Sequence, residues 1–485
     1  MGAFLLYEAQ SSTYNGFSSI KHLWKDEQNL MKTAGIIAEY NPFHHGHKYQ
    51  IDELRRRTGA DYVVIAMSGD FVQRGEPALY DKYTRTCMAL NAGADLVLEI
   101  PAAFATSSAE DFAACGVALF NRIGVVDLLC FGSECGETKP LEEVAALLAR
   151  EPGAYSMRLR ELLAQGEAFP RARELAVMEY LRAAGGSGHG RETNGSKNAS
   201  GRPAASLLSS PNNILGIEYI KALLRSNSRI KPYTIRRCGQ GYHDTAIPPA
   251  APPSEGSGSP VCGQAFASAS AIRRALMEGN TAFAMAQMPF FPASPGPAPG
   301  TPCTAACKTG ASAIPAFPED FSTLINYRLL ELLHSGQDLT AYADVSTEIA
   351  ERIRNQVLYF SAFSDRITAL KTRQYTYTRI SRVLLHILLD ITDDRIRLYR
   401  QLGYAPYARI LGFRRESSPL LTAMKERSTV PLITKTADAG NLLSGDEMAM
   451  FLHDLHCSHV YQSVMQQKSG VLPRNEYTHS VIVIR

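Results

Sequence analysis

Two histidines, His44 and His47, stand three apart around Gly46, directly after Asn41-Pro42-Phe43. An apolar run, Ile36-Ile37-Ala38, precedes the group, and a helix-like segment follows it. A buried parallel strand ending in a polar loop at a helix N-terminus is how α/β proteins hold a nucleotide. Gly46 lets the backbone approach a phosphate closely, and imidazole donors can follow charge onto a departing group. The spacing points to chemistry in which an alpha-phosphate is attacked and pyrophosphate leaves. The bland reading of the same residues is a His-rich turn on a surface loop.

Further polar residues recur where strands should end. Met67-Ser68-Gly69-Asp70-Phe71-Val72-Gln73-Arg74-Gly75-Glu76-Pro77 is a glycine-punctuated loop carrying one cation, Arg74. Asp81-Lys82-Tyr83-Thr84-Arg85 then opens a helix and sets Lys82 and Arg85 one turn apart, where they could bind carboxylate or phosphate. Ordinary solvated charge is the simpler alternative. In Phe131-Gly132-Ser133-Glu134, Gly132 would let adenine or ribose reach the backbone, and Glu134 could accept from ribose hydroxyls. Asn212 and Asn213 introduce a helix, where Asn caps well. Arg236 and Arg237 end a strand before Gly241-Tyr242-His243-Asp244. Ser268 and Ser270, with Arg273 a few residues on, begin another helix whose hydroxyls and N–H groups would cradle a triphosphate or serve as an N-cap. We find no Ser/His/Asp triad and no catalytic cysteine. His453, His456 and His459 split between faces of a helix, so no metal site is expected. Cys303 and Cys307 read as incidental.

The elements that must position these groups follow a β-α-β-α order. Strands are expected at 34–39, 62–67, 95–99, 126–131 and 232–237, and helices at 46–57, 79–91, 108–122 and 212–225. Such an order predicts an α/β, Rossmann-like parallel sheet with ligands at the strand C-termini. Residues 1–30 read as an extension or a mis-called start, with Met31 the functional beginning. Residues 31–285 form the nucleotide-binding domain, with a mobile insertion at 185–201 and a loop at 247–261. A Pro/Ala-rich insertion covers 286–317, and a mainly helical C-terminal domain covers 318–485.

The chain has 485 residues, 45% hydrophobic and 20% charged, as in a globular protein of two or three domains. A net charge of +3 gives no global sign of a nucleic-acid partner, so a basic surface would have to be local. No segment reaches the ~20 apolar residues of a membrane helix. A secretory leader is lacking as well, and nine scattered cysteines suit a reducing cytoplasm.

Taken in order, GIIAEYNPFHHGH, MSGDFVQRGEPALYDKYTR, FGSEC, SPNNILGIEY, RRCGQGYHD and ASASAIR resemble the HIGH-type nucleotidyltransferase superfamily. Within it they are similar to the bacterial tRNA(Met) cytidine acetate ligases, as are KTRQYTYTRISRVLLHILL and YARILGF. The resemblance covers most of Met31–Arg485. It implies an ATP-dependent ligase in which acetate attacks the ATP alpha-phosphate to give acetyl-adenylate. The N4 amine of the wobble cytidine of elongator tRNA(Met) then attacks the acetyl carbonyl. By the same resemblance ATP is lined by Ile37, Ala38, Glu39, Tyr40, Asn41, Pro42, Phe43, His44, His45, Gly46, His47, Lys48, Tyr49 and Gln50, with His44 and His47 on its phosphates. Gly132, Asn212 and Arg237, or the adjacent Arg236, match further ATP contacts. Ser268, Ser270 and Arg273 stand at the second phosphate-binding motif. That motif has a lysine in many members and none here, so Lys82 or Arg273 would supply the charge. Mg²⁺ on the phosphates is expected on general grounds.

For the RNA, Lys371, Arg373, Arg379 and Arg382 interleave with Tyr375 and Tyr377. Cations would follow phosphates and tyrosines could stack on anticodon bases, and an amphipathic helix with a solvated basic face is the bland alternative. The alternatives to the ligase are an adenylyltransferase of cofactor biosynthesis and a non-catalytic RNA-binding protein.

Overall fold

The computed structural model describes residues 31–185, 205–237, 266–291, 314–359, 362–372 and 374–485. Residues 1–30, nearly all of the 185–201 segment, the 247–261 loop, Gly241-Tyr242-His243-Asp244, most of 286–317 with Cys303 and Cys307, and Arg373 lie outside them.

The five apolar runs fold as parallel strands: β1 (Thr33–Ala38), β2 (Tyr62–Ser68), β3 (Leu96–Ile100), β4 (Leu128–Ser133) and β5 (Lys231–Arg236). They lie side by side as β3-β2-β1-β4-β5. β1 is paired along its length, with Ile36 opposite Ile65 of β2 and Cys130 of β4. Successive side chains of a strand point to opposite faces, so each face needs its own cover. Ile36, Val63, Ile65 and Val97 pack with α1 (His45–Thr58), α2 (Lys82–Asn91) and α5 (Ala269–Met277), whereas Ile37, Val64, Ala66 and Leu98 pack with α3 (Ala109–Ile123) and α4 (Pro211–Arg225). The chain runs outward from β1 to β3, then crosses back to β4. That reversal opens a crevice at the C-terminal end of β1, where a ligand is held in such sheets.

The C-terminal part does not stand apart as the sequence reading expects. After α6 (Tyr377–Leu388), strand β6 (Ala408–Arg414) pairs antiparallel with β3, and the final strand β7 (Ile482–Ile484) pairs parallel with β6. With the short strand Leu432–Ile433 on β6 they complete an eight-stranded sheet among the described residues. An unpaired edge at β3 would expose a row of backbone groups, and the C-terminal segment supplies their partners. α7 (Gly445–Ser469) packs behind the junction, where His453 Nε2 meets the Leu389 carbonyl at 2.8 Å. No helix among the described residues is long and apolar enough to cross a membrane.

Beyond β2 the chain forms a hairpin in which Phe71–Val72 pairs with Glu76–Pro77. Its tip, Gln73-Arg74-Gly75, is seated on α6. Ser381 Oγ donates to the Gly75 carbonyl at 2.7 Å. Gly75 has φ 75°, and a Cβ there would come within 2.3 Å of the Arg382 nitrogen.

Candidate active site

The loop leaving β1 is clamped from below. Arg85, fully buried, donates through Nη1 to the carbonyls of Glu39 at 2.7 Å and Ser68 at 3.0 Å, and through Nε to Tyr80 at 2.8 Å. Its other guanidinium nitrogen reaches the Gly69 carbonyl. The clamp fixes the ends of β1 and β2 together and holds Tyr40 at φ 50°, where a bulky side chain is disfavoured. The Asn41–Pro42 bond is cis. Asn41 Oδ1 accepts from the Leu79 N–H at 2.7 Å, tying the loop to the segment before α2.

His44 caps α1. Its Nδ1 accepts the Gly46 N–H at 3.0 Å, while His47 Nδ1 accepts the His44 N–H at 3.2 Å, a reciprocal box built from two imidazoles. A backbone N–H can only donate, so Nδ1 of each ring is the unprotonated nitrogen and Nε2 carries the hydrogen. The rings stack with centroids 3.8 Å apart and planes 26° from parallel. Such closeness requires a glycine between them, since a Cβ on Gly46 would lie 2.8 Å from His44 Cε1. Burial, then the Arg237, His45 and Arg273 charges, push the His44 pKa down to about 3. Burial, then His44 and Arg237, hold His47 well below its ordinary value. At neutral pH the pair is therefore two neutral N–H donors at a helix N-terminus whose first turn carries no acid.

A cavity of about 210 Å³ opens over this pair. Opposite the histidines, α5 begins with Ser268, whose Oγ accepts the Ala271 N–H at 3.1 Å. Arg273 donates to the Asn41 carbonyl at 2.7 Å and to Ser270 Oγ at 3.4 Å, latching α5 to the β1 loop. At the far end the cavity is walled by Gly132, Asn212, Arg236 and Arg237. Arg237 donates to Asn212 Oδ1 at 3.0 Å, and a Cβ on Gly132 would meet Arg237 Cγ at 3.3 Å, so the Gly132 backbone packs closely against the Arg237 stem.

The structure brings together Ile37, Ala38, Glu39, Tyr40, Asn41, His44, Gly46, His47, Tyr49, Gln50, Gly132, Asn212, Arg236, Arg237, Ser268, Ser270 and Arg273 around one cavity. Other expected residues are placed elsewhere. Phe43 is buried in the core beneath the loop, and Pro42 beside it does not line the cavity. His45 Nε2 meets the Ala286 carbonyl at 3.2 Å, and Lys48 pairs with Asp52 at 2.6 Å one helical turn on. Both stand on the flank of α1 turned from the cavity wall. Glu134 is spent on structure: one oxygen accepts from Asn212 Nδ2 at 2.6 Å and the other from the Asn213 N–H at 2.9 Å at the start of α4. That bond is what presents the Asn212 amide.

Lys82 requires the largest correction. It is fully buried outside the cavity, its Nζ 2.8 Å from Glu99, 3.1 Å from Glu476 and 2.7 Å from Ser458 Oγ. Burial and Arg409 oppose its charge, but Glu476 and Glu99 outweigh them and raise its pKa well above the ordinary value. Of the two cations offered for the phosphate motif, Arg273 is the one at the site. Arg85, the other cation of that helix, is the clamp described above.

The expected RNA-contacting residues also divide. Lys371 is exposed. Tyr375 is buried, its hydroxyl 2.9 Å from Ser346 Oγ and its ring covered by the Arg379 guanidinium at 5.0 Å, so no face is open to a base. Arg382 is engaged with Asp344 at 3.0 Å beside the hairpin.

The apolar cavity wall, which includes Phe112, Phe131, Leu215, Tyr219 and Ile235, escapes sequence reading because such residues look like ordinary core. Phe266, Gln73 and Arg74 line it as well. Of these, Arg74 carried a signal, as the sole cation of its glycine-punctuated loop.

A neutral imidazole pair at the head of the first βα unit, facing a serine-arginine helix start across a cavity, defines a HIGH-type nucleotidyltransferase. The chain belongs to the HIGH Nucleotidyl Transferase family, whose model matches residues 31–472. Within that family its relatives are tRNA(Met) cytidine acetate ligases, and it belongs with them. It is 35% identical over 462 residues to the enzyme of Acetivibrio thermocellus, covering 94% of this chain and 100% of the relative. Against that of Caldanaerobacter subterraneus subsp. tengcongensis it is 35% identical over 452 residues, covering 93% and 100%. The apo crystal structure of Thermotoga maritima TmcAL matches with a TM-score of 0.77 at 26% identity, covering 94% of this chain and 100% of that one. The same protein bound with alpha-thio ATP matches with a TM-score of 0.75 at 26% identity, with the same coverage. The α/β class and the family read from the motifs are thus confirmed.

Proposed function

We propose that this enzyme is an ATP-dependent ligase that joins acetate to N4 of the wobble cytidine of elongator tRNA(Met) through acetyl-adenylate. The observation that carries the reading is the stacked pair of neutral imidazoles facing Arg273, in a chain similar over 94% of its length to a ligase of that name. Acetate cannot be attacked directly by an amine, because oxide would have to leave. Adenylation replaces that leaving group with AMP. In the first step an acetate oxygen attacks the alpha-phosphorus and the bond to pyrophosphate breaks, with no proton moved. What the protein must supply is donors that meet the charge growing on pyrophosphate. His44 and His47 Nε2–H, Ser268, Ser270, Arg273 and the N-termini of α1 and α5 would supply them. Gly132, Asn212, Arg237 and Arg236 would hold the adenosine, against the apolar wall.

Mg²⁺ would travel on the triphosphate and screen its charge. Among the described residues no group of three or more His, Cys, Asp or Glu could hold a metal ion. The tRNA would approach over the α6 side, with Lys371, Arg373 and Arg379 on its phosphates and its cytosine leaving the stack to enter the cavity. ATP, acetate and tRNA meet in the cytoplasm, where we place the reaction.

The test is purified protein with ATP, labelled acetate and a tRNA(Met) transcript. Label on the RNA supports the ligase. Nucleotidyl transfer to a cofactor precursor without RNA labelling would assign the adenylyltransferase instead, and RNA binding with neither reaction the non-catalytic protein. His47→Ala should lower acetate-dependent ATP–pyrophosphate exchange by about 100-fold or more while tRNA binding persists.

A further inference from the structure

The second step differs from the first in needing a base. When the N4 lone pair forms a bond to the acetyl carbon, the carbon–oxygen bond to AMP breaks and the phosphate keeps the electron pair. The nitrogen must also shed a proton. The histidines are poorly suited to take it, since each Nδ1 lone pair is engaged by a backbone N–H and each Nε2 already carries hydrogen. Arginines have no basic lone pair. Among the described residues lining the cavity, Glu39 is the one carboxylate.

Resting on the ligase reading above, we propose that Glu39 is the general base that accepts the N4 proton as the acetyl group moves from AMP to cytidine. It directly follows β1 and is partly exposed at the cavity wall. One oxygen accepts the Gln73 N–H at 2.8 Å, and its own carbonyl is gripped by Arg85, so the side chain leaves a fixed backbone and is held at its tip. The groups facing it are Arg74 and Glu76 of the hairpin and Arg273 of α5, with the Tyr219 phenol of α4 also close. A carboxylate in a cavity that must take a triphosphate repels the ligand. It is explained if it serves the step in which triphosphate is no longer present. Burial raises the Glu39 pKa despite the Gln73 bond and the two arginines, which brings it toward the range where a base works best near neutrality.

Glu39→Gln separates this role from a structural one, because the amide oxygen can still accept the Gln73 N–H while losing its basicity. Two rates are measured on wild type and variant: acetate-dependent ATP–pyrophosphate exchange, and single-turnover transfer from preformed acetyl-adenylate to tRNA(Met) transcript. We expect the ratio of transfer to exchange to fall by about 100-fold or more, with Glu39→Asp recovering part of it. The rise of the wild-type transfer rate with pH should flatten in the amide variant. Equal losses in both rates would make Glu39 a nucleotide-binding residue and overturn the proposal. Both rates left at their wild-type values would overturn it too, leaving the AMP phosphate as the acceptor. If wild type itself transfers nothing to the transcript, it is the ligase reading that fails.

Discussion

At the residue scale the chemistry rests on how two histidines spend their nitrogens. Using Nδ1 of both rings to satisfy backbone N–H groups fixes the tautomer, and burial fixes the charge. This has a cost in acid. In the unfolded chain an imidazole binds its proton near pH 6.5 (an approximate figure), whereas in the fold His44 does so only at about pH 3. Between those values the unfolded state holds the extra proton, so stability is full above the upper one and falls as pH drops through the window. His44→Asn keeps a capping oxygen and removes the titration. In nucleotide-free protein, melting temperatures followed from neutral pH into this window should fall less steeply for the variant. Parallel curves would mean that His44 is not buried in neutral form. The motif was legible in the sequence because its spacing is dictated by this capping geometry. Lys82 was misread because Asp81-Lys82-Tyr83-Thr84-Arg85 looks the same whether its lysine meets water, a phosphate or a carboxylate folded onto it from the far end of the chain.

At the element scale the hairpin after β2 links the site to the C-terminal helices. Its tip places Gln73 against Glu39 and Arg74 in the cavity, and rests through Gly75 on α6. Gly75 is needed there for its positive φ and for the close approach to the Arg382 backbone. Gly75→Ala should cost about 1–2 kcal/mol from the backbone conformation alone, and more from the clash. Urea denaturation measures the loss, and the variant should also show a raised KM in pyrophosphate exchange. A variant of wild-type stability and KM would show that the hairpin is not seated as described. The parallel strands and their helices were readable from short apolar runs alternating with helical periods. The C-terminal strands were harder. Ala408–Arg414 is an apolar run like the others, but nothing local says that it pairs with β3, whose own run precedes it by three hundred residues or so.

At the scale of the whole molecule, the two halves of the chain are one sheet fastened by one buried charge cluster. Glu99 of β3 and Glu476 before β7 are shared by Lys82 of α2 and Arg409 of β6, with Arg409 3.0 Å from Glu99 and 2.6 Å from Glu476. Removing one partner leaves its carboxylates buried with too little counter-charge. Lys82→Met should therefore destabilise the protein by about 3–5 kcal/mol, with ATP affinity of the folded fraction unchanged. Denaturation and nucleotide titration of the same sample check both parts, and a loss of ATP affinity at wild-type stability would return Lys82 to the active site. The arrangement also explains why a division at residue 318 is visible in composition but not in the sheet. Sequence periodicity reports helices and strands one by one, whereas the closing of the sheet by β6 and β7 depends on contacts between segments far apart in the chain.

The most direct test is a crystal structure with a nonhydrolysable ATP analogue. The account predicts phosphate oxygens within hydrogen-bond distance of Nε2 of both His44 and His47 and of Arg273, with the adenosine against Gly132. A nucleotide bound elsewhere, or phosphates that leave both imidazoles unengaged, would contradict it.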